Sequence, residues 1–293
     1  MDHPETIFTE DPDGRIARFS EWSVRLSAEA VVQALRNAEA GACDVRALIV
    51  NTCTGYICPG ISTYLVEELS LRRDLPVYDL VGSGCGGALP NLQLAKALSL
   101  QFPDGIVLSV SVEICSATFQ IADDLSLLVS NALFGDGAAA VAVSPRPGGL
   151  EIVDFTSITV PEEREHIRYV YRNGQLHNQL SMQLDTHIRS AVAEAVGRVL
   201  RANGLRTGDI AHWALHNGGE KIINTVRDAL GLPEEKLSAT RKVLAEHGNM
   251  SSPTVLFVLD EVMKSGMRPG EFCMLVAFGA GLSAHACLLR KIP

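Results

Sequence analysis

The sequence predicts an α/β fold of two similar βαβ-rich halves, and three observations predict it. Short apolar runs rich in β-branched residues alternate along the chain with stretches of helical periodicity, the pattern of sheets covered by helices. Glycine, proline and polar residues punctuate the boundaries. Landmarks of the first half also return in the second: strand ends at Thr52 and His216, and helix starts at Cys85 and near Asn249 (216 − 52 = 164 and 249 − 85 = 164). Strands then enter near Ile106 and Cys273 (273 − 106 = 167).

The predicted strands are 47–53, 76–82, 105–113, 138–144, 151–160, 212–216, 271–279 and 283–291, each a short apolar run. A helix follows the nucleophile-like segment at Cys85. Leu184, Ile188, Val192, Val196 and Val199 recur at close to helical spacing, and the pattern stops at Gly204. Residues 220–230 form a helix after the turn Asn217-Gly218-Gly219. A last helix opens at Ser251-Ser252-Pro253, with a serine cap and proline in its first turn, and carries Val255, Leu256, Leu259 and Val262. The halves meet near residue 157, giving 1–157 and 158–293.

Composition bounds the function. The chain has 293 residues, 47% apolar and 20% charged, enough for a substantial core, which excludes disorder, collagen and coiled coil. A net charge of −9 provides no general basic field for nucleic acid or anionic lipid. The acidic start lacks secretory character and no apolar run is long enough to span a bilayer, so no membrane partner and a cytoplasmic location are expected. Seven scattered cysteines, an odd number, read as reduced thiols.

Three segments carry candidate chemistry. Gly82-Ser-Gly-Cys-Gly-Gly87 lies between a strand and a helix, which places Cys85 at a helix N-terminus that favours the nucleophilic thiolate. Two other readings stand beside this one. Cys85 is a buried small hydrophobe, or Gly82, Gly84 and Gly87 form a dinucleotide-binding G-x-G-x-x-G turn with Glu113 as its acidic partner. His216 closes a strand beside a glycine turn, placed to move a proton or donate a hydrogen bond; the alternative is a histidine satisfied by backbone groups. Asn249, ahead of the last helix, can offer its amide N–H₂ to a developing oxyanion, or serve as ordinary helix-entry chemistry. His212 and His216 share a strand face without forming a zinc pair, Cys53 and Cys58 lack a second ligand pair, and no metal site is predicted. Serine-hydrolase elbow and phosphate-loop motifs are absent.

From about residue 27 onward the sequence resembles the thiolase superfamily and, within it, the type III polyketide synthases, the chalcone synthase-like enzymes. The resemblance rests on GSGCGG (82–87), ALFGDGAAA (132–140), HNGG (216–219), GNMSS (248–252) and FGAGL (278–282), in that order. It implies a thiolase-like fold with a shortened N-terminal half. It also implies catalysis by Cys85, His216 and Asn249, with Phe134 as a gating residue. Cys115, Thr118, Cys53 and Ser251 would bind substrate. The implied reaction is decarboxylative Claisen condensation of malonyl-CoA onto a Cys85-bound acyl starter, with coenzyme A thioesters as substrates and no resident cofactor. Cys58 stands where the family crosses to a partner subunit, which implies a homodimer. Alternatives are a ketoacyl synthase III-like single condensation, which would use an acyl carrier protein, and a non-catalytic partner subunit of a full-length paralogue.

The sequence departs from the family pattern in three places. It begins beyond the strand that the family keeps inside the first sheet, so either the chain is truncated or a partner or a rearrangement replaces that strand, because an open slot would expose unpaired backbone groups. Ala280 replaces a proline in the loop before the last strand, and residues 174–184 contain no second gating phenylalanine.

Overall fold

The computed structural model describes residues 9–121, 123–172, 174–181 and 183–293. Asp11 caps the first helix, α1 (Pro12–Asn37), by accepting a hydrogen bond from the Gly14 N–H at 2.7 Å, with Pro12 at its first position. Its buried stripe mixes Phe19, Val31 and Leu35 with Ser23 and Ser27, so apolar contrast along this helix is weak. The sequence reading contains no helix here.

Strands β1 (Val45–Asn51), β2 (Val77–Leu80), β3 (Ile106–Glu113) and β4 (Gly137–Val143) form the first sheet in the order β2-β1-β3-β4, with only β4 antiparallel. Helices α2 (Ile61–Glu68), α3 (Ala88–Ser99) and α4 (Leu125–Leu133) connect them. Among the described residues this sheet has no open slot, as the rearrangement alternative expects. Leu48 and Ile49 pair directly with Leu108 and Ser109, because this strand order sets β1 beside β3 and leaves β2 and β4 as the edges.

The second half opens with β5 (Leu150–Thr159), then a hairpin of β6 (Ile167–Arg172) and β7 (Gln175–Leu180), helix α5 (Leu184–Ala202) and β8 (His212–Leu215). Helices α6 (Glu220–Leu230), α7 (Ser238–His247) and α8 (Thr254–Lys264) follow, and β9 (Phe272–Gly279) and β10 (Ser283–Lys291) close the chain. The second sheet has the order β5-β10-β9-β8. Its β8-β9-β10 part repeats β1-β3-β4: a parallel pair, then an antiparallel neighbour. All eight predicted strands are present, and the hairpin was not among them. The expected boundary at 157/158 falls inside β5, which pairs along its length with β10.

Alternating side chains fix the layers. Leu48 and Val50 of β1 face a core with Phe19 and Val31 of α1 and Leu65 of α2, while Ala47 and Ile49 face α3. Met274, Val276 and Phe278 of β9 pack on α5 and α6, whereas Cys273, Leu275 and Ala277 face the inner helices. The α3–α8 layer therefore shares one core with both sheets. That sandwich brings the turn before α3 and the turn before α8 to one place. Among the described residues, no helix is long and apolar enough to cross a membrane.

Candidate active site

Cys85 lies in a short 3₁₀ turn, Gly84–Gly86, that leads into α3, and is buried. The end of β9 presses on this turn. A Cβ on Gly279 would overlap the Ser83 carbonyl and come within 2.5 Å of Gly86 N and 3.1 Å of Cys85 N. A Cβ on Gly84, at φ +54°, would meet Ala280 N at 2.9 Å. The β9–β10 turn thus covers the glycine segment, which leaves no room for a pyrophosphate and sets aside the dinucleotide reading.

Glu113, the acidic partner in that reading, is fully buried at the end of β3. It accepts from Cys53 N at 2.9 Å, Thr54 N at 3.1 Å, Thr54 Oγ1 at 2.9 Å and Ser252 Oγ at 2.6 Å. Burial raises its carboxyl, and these donors pull it back. Its role at the site was not read from sequence, although a lone acid ending an apolar strand was a visible signal.

Ser251 connects the cysteine to the second half. Its hydroxyl donates to Cys85 Sγ at 3.3 Å, and its N–H donates to Asn249 Oδ1 at 2.8 Å. The second bond orients the carboxamide and leaves the N–H₂ end as the donor for another acceptor. Cys53 Sγ lies 3.5 Å from Ser251 Oγ and 3.3 Å from Glu113 Oε1.

His216 follows β8 and is anchored by its N–H, which donates to Val276 O at 2.8 Å. The imidazole meets Phe278 edge-on, with centroids 5.0 Å apart. Its Nδ1 is buried and has no hydrogen-bond partner among the described residues, so backbone groups do not satisfy the ring. The next residue, Asn217, donates from Nδ2 to Gly248 O at 3.2 Å, which ties the His216 loop to the Asn249 loop.

The electrostatics differ from the helix-end expectation. Burial pushes the Cys85 thiol up to about 12, despite the opposing hydrogen bond from Ser251, and Glu113 nearby adds to the rise. Burial drives His216 down to about 3. In both groups desolvation favours the uncharged form and opposes the short turn before α3.

The other predicted residues border this centre. Phe134, at the C-terminus of α4, bridges to Asn249, and its loop runs against the Gly248 loop so closely that a Cβ on Gly248 would meet Leu133 O at 2.7 Å. Phe134, Cys115 and Thr118 line one cavity of about 80 Å³, together with Asn178 of β7. Burial, and after it the carboxylates Glu113 and Asp136, push the Cys115 thiol well above its ordinary value. Burial raises the phenol of Tyr169 in β6, with smaller contributions from Cys53, Cys115, Cys85 and Glu113. Sequence reading overlooked Tyr169 and Asn178, yet Asn173-Gly174 between two short runs is a hairpin signal. Cys58 is exposed. In the stretch 174–184, Met182 lies outside the described residues, and β7 and the start of α5 occupy most of the rest.

Comparison with known proteins gives concordant matches. Residues 2–203 match the family model for FAE1/type III polyketide synthase-like proteins, and residues 151–293 that for the C-terminal domain of chalcone and stilbene synthases. The 3,5-dihydroxyphenylacetyl-CoA synthase of Streptomyces toyocaensis is 32% identical over 99% of this chain and 77% of its own. The 1,3,6,8-tetrahydroxynaphthalene synthase of Streptomyces peucetius subsp. caesius is 34% identical over 90% of this chain and 72% of its own. The solved structure of PKS-I from the brown alga Ectocarpus siliculosus superposes with a TM-score of 0.89 at 29% identity, covering 96% of this chain and 77% of that one.

Proposed function

From the premise that this chain belongs to the type III polyketide synthases, with their thiolase-like fold, we propose that Cys85, His216 and Asn249 carry its condensing chemistry. The protein is an acyltransferase that condenses malonyl-CoA. The observation that carries the residue assignment is the Ser251 bridge, which joins the Cys85 sulfur to the Asn249 carboxamide beside the loop of an unpartnered His216.

Because thiol and imidazole are both neutral at rest, the proton leaves Cys85 for His216 as sulfur attacks the starter thioester carbonyl. The bond to coenzyme A breaks, and the departing thiolate takes the proton back. Malonyl-CoA then binds with its thioester oxygen held by His216 N–H and Asn249 N–H₂. Its carboxylate leaves as CO₂, and the electron pair becomes an enolate stabilised by those donors. The enolate carbon attacks the acyl-Cys85 carbonyl and expels the sulfur as a thiolate, which takes a proton from solvent to restore the resting thiol, giving a β-ketoacyl-CoA two carbons longer. These steps use coenzyme A thioesters as substrates and draw on no resident cofactor.

Phe134, Thr118, Cys115, Cys53 and Ser251 are assigned to the walls that receive the acyl chain, supported by the shared cavity and by the sulfur contacts. The two halves, 1–157 with the nucleophile and 158–293 with its partners, act across their seam. A homodimer is favoured by the exposed edge strand β2, where Val77 and Tyr78 face solvent beside Val81. The reading places the enzyme in the cytoplasm. Family membership favours it over a ketoacyl synthase III-like condensation served by an acyl carrier protein.

The test is intact-mass analysis after incubation with acyl-CoA starters, then with malonyl-CoA. One acyl adduct on Cys85 is expected, lost in Cys85→Ala and formed at least about 100-fold more slowly in His216→Gln, which lacks the base, whereas Asn249→Ala should acylate but extend at least about 100-fold more slowly. Condensation surviving in Cys85→Ala would overturn the assignment.

A further inference from the structure

We propose that Glu163, His166 and His187 form a binding site for a divalent transition-metal ion, best matched to zinc, at the base of the β6–β7 hairpin. The site is independent of the condensing chemistry.

Glu163 and His166 lie in the 3₁₀ turn Pro161–His166 after β5. A 3₁₀ helix has three residues per turn, so residues three apart share one face. His187 comes from the first turn of α5, on the far side of the hairpin in sequence. The turns converge on one atom: Glu163 Oε2 is 3.0 Å from His166 Nε2 and 3.0 Å from His187 Nδ1. All three candidate ligand atoms lie within 4.8 Å of one another. The imidazoles stack with centroids 3.9 Å apart at 24°, and each of the three side chains is 22–28% exposed.

This geometry suits a metal. Two imidazole nitrogens and one carboxylate oxygen are the donor set of catalytic-type zinc sites, with a fourth position left for water. Bonds of about 2.0–2.1 Å in a tetrahedron set ligand atoms about 3.3 Å apart, so the two Glu163 contacts need open by only a few tenths of an ångström, while the imidazoles must turn out of their stack to aim both nitrogens at one point. Glu165 occupies the neighbouring Arg164 and Arg168, so these cations are engaged elsewhere.

The position gives the ion a role. His166 O accepts from Ser181 N at 2.9 Å, closing the hairpin at its base, and the hairpin carries Asn178, the strand partner of Tyr169, to the cavity wall. A bound ion would pin that base to α5.

The experiment is a Co²⁺ titration of the metal-stripped full-length protein, followed by competition with Zn²⁺ and by thermal unfolding with and without Zn²⁺. One equivalent of four-coordinate cobalt is expected, with visible d–d absorption but no sulfur-to-cobalt charge-transfer band. Zn²⁺ should displace it and raise the unfolding midpoint. His187→Ala and the near-isosteric Glu163→Gln, each checked for native circular dichroism, should weaken binding more than about 100-fold, the upper end of the loss seen for an outer-shell partner. Absence of stoichiometric binding, a thiolate band, or unchanged affinity in folded variants would overturn the proposal.

Discussion

The Ser251 hydroxyl donates to the Cys85 sulfur at 3.3 Å, from a residue held at φ +58°. The same residue orients Asn249, so one unusual backbone conformation serves two side chains of the site. Removing the hydroxyl withdraws an interaction that lowers the thiol's pKa. Ser251→Ala and Ser251→Gly should both slow alkylation of Cys85 several-fold at a fixed pH. Glycine tolerates the positive φ, so Ser251→Gly should be the more stable of the two by about 1 kcal/mol. Peptide mapping after iodoacetamide treatment and urea unfolding measure the two effects; equal alkylation in wild type and variants would show that the contact does not tune the sulfur.

With its thiol pushed up to about 12, Cys85 should react slowly at pH 7, and its alkylation rate should climb about tenfold per pH unit between pH 7 and 10. Exposed Cys43 and Cys58 should react faster at neutral pH, so the rate must be followed on the Cys85 peptide. A plateau for that peptide below pH 8 would mean a stabilised thiolate and contradict the burial account.

Gly279→Ala should displace the nucleophile. Its Cβ would overlap backbone on both sides of Cys85, which neither strand β9 nor the turn can relieve by rotating a side chain. Overpacking of this kind costs about 1–3 kcal/mol, and a shift of about 1 Å at the reacting atom costs about 100-fold in rate. Unfolding midpoint and single-turnover acylation report the two; unchanged acylation in a folded variant would refute the tight approach.

Acid should destabilise the fold in a window set by two buried histidines. His216 is held down to about 3 and His285 to about 4, against 6.5 when unfolded. Between those values the unfolded chain binds more protons, so stability falls as pH drops below 6.5. Each histidine contributes about 1.4 kcal/mol per pH unit, or about 2 kcal/mol between pH 6.5 and pH 5. Urea midpoints across this range should show it, and His285→Gln should reduce the slope by about half. A flat profile would show that the rings are not held neutral.

Glu113→Gln should cost about 1–3 kcal/mol even though the shapes match, because an amide N–H₂ must replace one carboxylate oxygen in a cage of donors. Chemical denaturation measures the loss. A variant as stable as wild type would mean that the cage rearranges.

The strands were legible because those of the two central sheets are mostly buried on both sides and read as nearly continuous apolar runs, as in β3 and β9. Helix α1 was not, since serines occupy its buried stripe. The β6–β7 hairpin was hidden by polar residues on both strands, with only Asn173-Gly174 as its mark. A helix start that favours a thiolate at Cys85 is visible in sequence, whereas the burial that opposes it is not.

By itself the sequence determined which segments become strands, where the halves repeat, and that Cys85, His216 and Asn249 each stand at an element boundary. Those properties follow from local pattern and from turn chemistry. Only the tertiary structure decided that Ser251 bridges Cys85 and Asn249, that Glu113 is caged, and that Glu163, His166 and His187 share a centre. The reason is physical. Periodicity dictates which face of an element is apolar, but contacts between residues far apart in the chain depend on how the layers stack, and burial sets protonation only once they have stacked.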